Sequence, residues 1–211
     1  MTTVIIDYNS GNLRSAEKSF QRMAARPSDI VVTADPDVVA RADRIVLPGV
    51  GAFADCRAGL LAMDGLFPAI EEAVIAGGKP FLGICVGMQM MAGIGREHGA
   101  NAPGFDWIHG EIVPMQPDDP GLKIPHMGWN GLLDVARHPV LAGIDDGAHM
   151  YFVHSYHFAT DDPEECLARF SHGGAFTACV GRDNLIGTQF HPEKSQGAGL
   201  QLIQNFLTWS P

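Results

Sequence analysis

Gly83-Ile84-Cys85-Val86-Gly87, entered through the apolar run Pro80-Phe81-Leu82, sets a cysteine between two glycines where a strand gives way to a helix. This is the sequence form of a nucleophile elbow. A turn that tight crowds the backbone, and glycines on either side relieve it while lifting the central side chain clear of the sheet edge. The reading predicts that Cys85 is presented rather than buried. Placed at a helix start, its thiolate is expected to gain from the positive end of the helix dipole, which favours the nucleophilic form. Taken alone, the elbow fits esterases, peptidases, redox enzymes and amide-transferring enzymes equally well.

Working outward, Val4-Ile5-Ile6-Asp7-Tyr8 is a short apolar run, Asn9-Ser10-Gly11-Asn12 a turn, and Leu13, Ala16, Phe20 and Met23 recur at helical spacing. Ile30-Val31-Val32 reads as a second strand, and Asp35-Pro36 as an N-cap followed by proline at the first helical position. Arg44-Ile45-Val46-Leu47 makes a third strand; helix formers then run to Ala76 and stop at Gly77-Gly78, before the strand that ends at Cys85. Strands alternating with helices predict an α/β fold, with a largely parallel sheet covered on both faces. Ligands bind such sheets at the carboxyl ends of the strands, where Cys85 falls. Beyond Cys85, β-like runs around Ile112, Leu122, Met150 to Val153, Leu167 to Phe170, Thr177 to Val180 and Leu185 to Thr188 predict a mixed or antiparallel extension. A helix from about Ala198 to Trp209 is expected to close the chain, with Leu200, Ile203, Phe206 and Leu207 on one face.

The chain has 211 residues, 46% of them hydrophobic and 18% charged, enough to build one core. Its 14 Lys and Arg against 24 Asp and Glu give a formal charge of −10, the wrong sign for a protein that grips nucleic-acid phosphates. Apolar stretches break well short of the ~20 residues that span a bilayer, and no basic stretch precedes an apolar N-terminal segment. A soluble cytoplasmic protein is expected, with no membrane and no nucleic acid among its partners. Cysteines at 56, 85, 166 and 179 show no Cys-x-x-Cys pair, so reduced thiols are expected, three of them as small apolar core residues.

A cysteine nucleophile needs a base and a group to orient it. Gln189-Phe190-His191-Pro192-Glu193 supplies both, because residues i and i+2 of an extended segment point the same way. One imidazole nitrogen of His191 then meets Glu193 and the other meets the thiol, while Pro192 discourages helix. The Val86 N–H, directly after the nucleophile, is placed to hold an oxyanion, and Pro48-Gly49-Val50-Gly51 can turn a second peptide toward it. His154-Ser155-Tyr156-His157 has the wrong local structure for a metal pair, and no metal or cofactor is expected.

Gly83 to Gln89 with Phe190-His191-Pro192-Glu193 resembles the class I glutamine amidotransferases. Within them, Ile6-Asp7-Tyr8, Gly11-Asn12-Leu13-Arg14-Ser15, Leu47 to Gly51 and Pro125-His126-Met127-Gly128-Trp129-Asn130 are similar to the glutaminase subunits of imidazole glycerol phosphate synthases. The likeness runs from Val4 to about Phe206, and the Met127 to Asn130 segment separates it from the glutaminases of anthranilate and aminodeoxychorismate synthesis. It implies a three-layer αβα, flavodoxin-like fold, mostly parallel with a mixed or antiparallel extension, as one amidotransferase domain over 1–211. It further implies that Cys85 attacks the amide of L-glutamine, His191 protonates the departing ammonia and Glu193 orients His191. Gly49, Val50 and Val86 serve the oxyanion, and Gly51, Gln89, Glu97 and the backbone at Ser155 and Tyr156 hold the amino-acid head. The ammonia passes to a cyclase subunit, a (β/α)8 barrel, in a heterodimer that makes imidazole glycerol phosphate and aminoimidazole carboxamide ribotide in histidine biosynthesis. Asn12, Met127, Trp129, Asn130 and Lys194 match positions that face this partner. By the same resemblance the loop Gly49 to Gly51 is a switch, thrown when the partner binds its own ligand. Two departures stand out: Val86 where leucine is common, and Asn9-Ser10 in place of a turn richer in glycine or proline.

Overall fold

The computed structural model describes residues 1–211. In chain order its elements are β1 (Thr3–Ile6), α1 (Leu13–Met23), β2 (Ile30–Thr33), α2 (Pro36–Ala40), β3 (Arg44–Gly49), α3 (Phe53–Leu61), α4 (Leu66–Glu71), β4 (Phe81–Cys85) and α5 (Val86–Gln89). There follow β5 (Ile94–Gly95), β6 (Ala102–Pro103), β7 (Gly110–Pro114), β8 (His126–Leu133), β9 (His149–His154), β10 (Tyr156–Thr160), β11 (Cys166–Ser171), β12 (Ala175–Arg182), β13 (Leu185–Thr188) and α6 (Gln196–Thr208).

A nine-stranded sheet in the order β2-β1-β3-β4-β13-β12-β11-β8-β9 carries the fold. From β2 to β13 neighbours are parallel; from β13 to β9 they are antiparallel. The parallel strands read Val-Ile-Ile or Ile-Val-Leu without alternation, as burial on both faces requires, and every residue of β1, β3 and β4 is buried. Helices supply the cover: α1 packs against α6, and α2 and α3 against α4. Asp35 caps α2 as its sequence predicts, its carboxylate accepting from the Asp37 N–H at 2.9 Å with Pro36 at the first helical position. Arg44 reaches from β3 to the end of α6, donating to the carbonyls of Phe206 at 3.1 Å and Trp209 at 2.7 Å, so its buried guanidinium pins the chain where the helix ends.

Two expectations need correction, and a third is extended. Leu122 lies in a turn rather than a strand, because Asp119 captures the Gly121 N–H through its carboxylate and the Leu122 N–H through its carbonyl. The α6 face centres on Leu202, Ile203 and Phe206, leaving Leu200 and Leu207 as partly buried flanks. The extension also holds a second sheet, β10-β7-β5-β6, and the eight-residue β8, whose glycines and asparagine mask it in the sequence.

Strand register assembles the site. β4 sits between β3 and β13, with Gly49 opposite Cys85 and Thr188 opposite Ile84. The loop after β3 and the segment after β13 therefore emerge on either side of Cys85, at the carboxyl edge of the parallel strands.

Candidate active site

Cys85 has φ +55° and ψ −112°, a conformation that side chains rarely adopt. The flanking glycines make it possible. A Cβ on Gly83 would lie 2.6 Å from the Gly87 carbonyl oxygen, and one on Gly87 only 1.8 Å from that of Leu47. The expectation of an exposed thiol is corrected: Cys85 is 4% exposed and lies in the wall of a solvent-open cavity. The helix behind it is a single turn, α5, so the dipole expected to act on the thiolate is short.

His191 and Glu193 meet as predicted. The Nδ1–H of His191 donates to Glu193 Oε1 at 2.9 Å, with the two side chains 2% and 3% exposed. This leaves His191 Nε2 buried without a hydrogen-bond partner, beside Cys85. Burial alone would lower the imidazole pKa, but hydrogen bonding and charge interaction with Cys85 Sγ on one side and the Glu193 carboxylate on the other outweigh it and raise the value to about 10. Both neighbours favour the charged form of the ring. Its backbone is pinned from two directions: the His191 N–H donates to the Tyr151 carbonyl at 2.9 Å, and Ser195 Oγ donates to the His191 carbonyl at 2.6 Å while accepting from the Tyr151 N–H at 3.0 Å.

The cavity has a volume of ≈ 390 Å³, and its wall includes Val50, Gly51, Gln89, Glu97, Ser155 and Tyr156 along with Cys85, Val86 and His191. All five residues expected to hold an amino-acid head thus reach one space. Gln89 is buried one turn after Cys85, donating to the Tyr156 carbonyl at 3.3 Å and to Gln189 Oε1 at 3.0 Å. Glu97 stands in a 3₁₀ turn, held by the Phe53 N–H at 2.5 Å.

The Gly49 to Gly51 loop differs from the simplest expectation. The Val50 N–H donates to Ser10 Oγ at 3.3 Å, and the Val50 carbonyl accepts from Ser10 Oγ at 2.9 Å and from Cys56 Sγ at 3.2 Å. With its N–H spent on Ser10, Val50 offers no donor toward Cys85 in this state. Cys56, expected to be an inert core thiol, is part of this clasp. Val86, at the first position of α5, keeps an N–H with no acceptor inside the helix.

Of the surface residues, Met127 is 63% and Trp129 46% exposed, both on the outward side of β8. Trp129 meets the Tyr151 ring edge-on at 5.9 Å, and Lys194 Nζ stands 5.7 Å from the centre of the same ring. Asn130 is half-buried, and Asn12 occupies the N-cap of α1 with no capping bond from its side chain. Three residues were missed in their roles: Gln189, whose Nε2 donates to Cys85 Sγ at 3.8 Å, Ser195 and Ser10. Gln189 had a sequence signal, lying inside the motif that carries His191; the two serines had none.

The profile of the family described as glutamine amidotransferase class-I matches residues 4–209, and the chain belongs to that family. Among its relatives the chain is 59% identical to the imidazole glycerol phosphate synthase subunit HisH of Cereibacter sphaeroides, over 100% of both chains. It is 57% identical to the HisH subunit of Ruegeria pomeroyi, again over 100% of both. Solved structures agree on the fold: one described as a glutamine amidotransferase superposes with a TM-score of 0.70 at 16% identity, covering 93% of this chain and 94% of that one. The glutaminase domain of Trypanosoma brucei CTPS, with bound acivicin, superposes with a TM-score of 0.65 at 15% identity, covering 98% and 92%.

Proposed function

We propose that this chain is the glutaminase subunit of an imidazole glycerol phosphate synthase, which hydrolyses L-glutamine to L-glutamate and ammonia for use by a cyclase subunit. The observation that carries the reading is the Cys85, His191 and Glu193 constellation, with Cys85 and His191 lining a cavity roomy enough for an amino acid, in a chain 59% identical to a HisH subunit over its whole length.

Cys85 Sγ, its proton passed to His191 Nε2, attacks the side-chain carbonyl carbon of glutamine, forming the C–S bond and an oxyanion. Collapse breaks the C–N bond, and ammonia leaves with the proton delivered from His191 Nε2. Water then attacks the thioester, His191 takes its proton, and the C–S bond breaks to release glutamate and restore Cys85. Glu193 keeps the imidazole facing the sulfur and stabilises its charged form. Gly51, Gln89, Glu97, Ser155 and Tyr156 receive the amino-acid head. The chain acts as one domain, with no cofactor and no metal.

The oxyanion needs two donors, and one is in place. In a trans peptide the N–H and C=O point opposite ways, so the Gly49 carbonyl points away from Ser10 while the Val50 N–H donates to it. Turning that peptide over exchanges an acceptor for a donor on the Cys85 side. Gly49 and Gly51, the latter at φ +104°, give the freedom to do so. Docking of a (β/α)8 cyclase on the face bearing Asn12, Met127, Trp129, Asn130 and Lys194, with its nucleotide bound, throws the switch. Trp129 and Met127 supply an exposed apolar anchor for that contact. A glutaminase assay with and without the cyclase subunit and its nucleotide tests this. Turnover is expected to rise by on the order of 10²-fold or more, the usual worth of one oxyanion donor; equal rates in the two conditions would sink the proposal.

A further inference from the structure

Leading away from the cavity wall, which His154 helps to line, is a row of polar side chains that the reaction itself does not use. His126 and His154 face each other directly across the β8–β9 pair, buried at 5% and 7% exposure. Asn130 Nδ2 is 3.2 Å from His126 Nε2, His126 Nδ1 is 3.3 Å from His154 Nε2, and His154 Nδ1 is 2.8 Å from the Tyr156 carbonyl oxygen. Phe152 and Phe170 wall the row in: the His126 ring stacks on Phe170 at 5.0 Å, and His154 meets it edge-on at 5.4 Å.

The two ends decide where every proton sits. At the inner end a carbonyl only accepts, so His154 Nδ1 carries hydrogen. A neutral His154 then has a bare Nε2, which must accept, so His126 Nδ1 donates and His126 Nε2 is bare in turn. At the outer end Asn130 Nδ2 lies 2.8 Å from the Ser171 carbonyl, which fixes that atom as the amide nitrogen and leaves its second hydrogen for His126. Both ends give the same answer. Burial holds both rings neutral, pushing His126 down to about 4 and His154 to about 3, as the arrangement needs.

We infer that Asn130, His126 and His154 form a hydrogen-bond relay of fixed direction, which makes the two histidines positioning residues for the glutamine cavity. The relay ends on the Tyr156 carbonyl, the atom that also accepts from Gln89, whose amide in turn holds Gln189 against Cys85 Sγ. It begins on β8, the strand whose other face shows Met127 and Trp129. The position of that strand is thereby communicated to the cavity wall. His126 itself does not line the cavity, whereas its ring partner His154 and its chain neighbour Pro125 do; the leucine and asparagine variants leave Pro125 alike, so a difference between them reports on the hydrogen bond to His154. The positioning role rests on the glutaminase reading above; the proton arrangement does not.

The test has two arms on the full-length chain. Long-range ¹⁵N–¹H correlation spectra at neutral pH are expected to show both rings neutral with hydrogen on Nδ1; hydrogen on Nε2 of His154, or a charged ring, overturns the relay. Calorimetric titration of L-glutamine into the Cys85→Ala chain, which binds without turning over, supplies the second arm. On that background His126→Leu is expected to weaken binding about fivefold, the worth of one lost hydrogen bond. His126→Asn, which keeps a donor where Nδ1 stood, is expected to stay within about twofold. Equal affinity for the leucine and asparagine variants overturns the positioning role. No binding of glutamine by the Cys85→Ala parent, with the expected proton arrangement present, overturns the glutaminase reading and the positioning role with it.

Discussion

Cys85→Ala is expected to reduce glutamine hydrolysis by on the order of 10⁴-fold or more while leaving the fold intact. The sulfur is the only group placed to form the acyl bond, and a methyl cannot replace it. Without it no acyl bond forms, and His191 has no leaving group to protonate. The fold is insulated for a definite reason. Alanine at position 85 inherits the same φ of +55°, so it adds no new backbone strain. What is lost is a small buried side chain facing a cavity, with one weak hydrogen bond, from Gln189 at 3.8 Å. A glutaminase assay paired with thermal unfolding checks both halves. Turnover near wild type would remove Cys85 from the chemistry, and collapse of the fold would show that the thiol is structural.

Gly87→Ala is expected to do the opposite, damaging the fold and the chemistry together. The new Cβ would stand 1.8 Å from the Leu47 carbonyl oxygen and 2.9 Å from its carbon. Both are backbone atoms of β3, in the centre of the sheet, so no side chain can swing aside. Either β3 or α5 must move, and both border Cys85. The cost is about 3 kcal/mol or more. For a chain of this size that is a fall of about 10 °C in Tm. Gly197→Ala makes the control: it lies in α6 with nothing within 4 Å of its added Cβ, and it should be neutral or stabilising by a few tenths of a kcal/mol. Equal melting temperatures for the two variants would show that the elbow is not crowded.

The parallel half of the fold was legible because its signals are local. Unbroken apolar runs, the Asp35-Pro36 cap and the Gly77-Gly78 stop each act within a few residues, and the alternation of strand and helix sets the topology. The antiparallel half was less so. β8 carries two glycines and an asparagine, and its stability comes from pairing with β9 and β11, partners distant in sequence. The site followed the same division. Cys85, His191 and Glu193 announce themselves through spacing and chain stiffness. Ser10 and Cys56 do not, because their role depends on a contact made across 40 and 6 residues with one peptide, at Val50. His126 was quoted only as part of a motif, and His154 only as an improbable metal ligand. Their pairing needs the register of two strands, which no local pattern encodes.

In the proposed reaction the glutamyl group passes through a thioester on Cys85. Mass spectrometry of peptides from the chain, quenched in acid during turnover of L-glutamine with the cyclase subunit and its nucleotide bound, tests it most directly. A glutamyl group is expected only on the peptide bearing Cys85, present while glutamine lasts and gone when it is exhausted. Brisk turnover with Cys85 unmodified at every quench time, or with the glutamyl group on another residue, would contradict it.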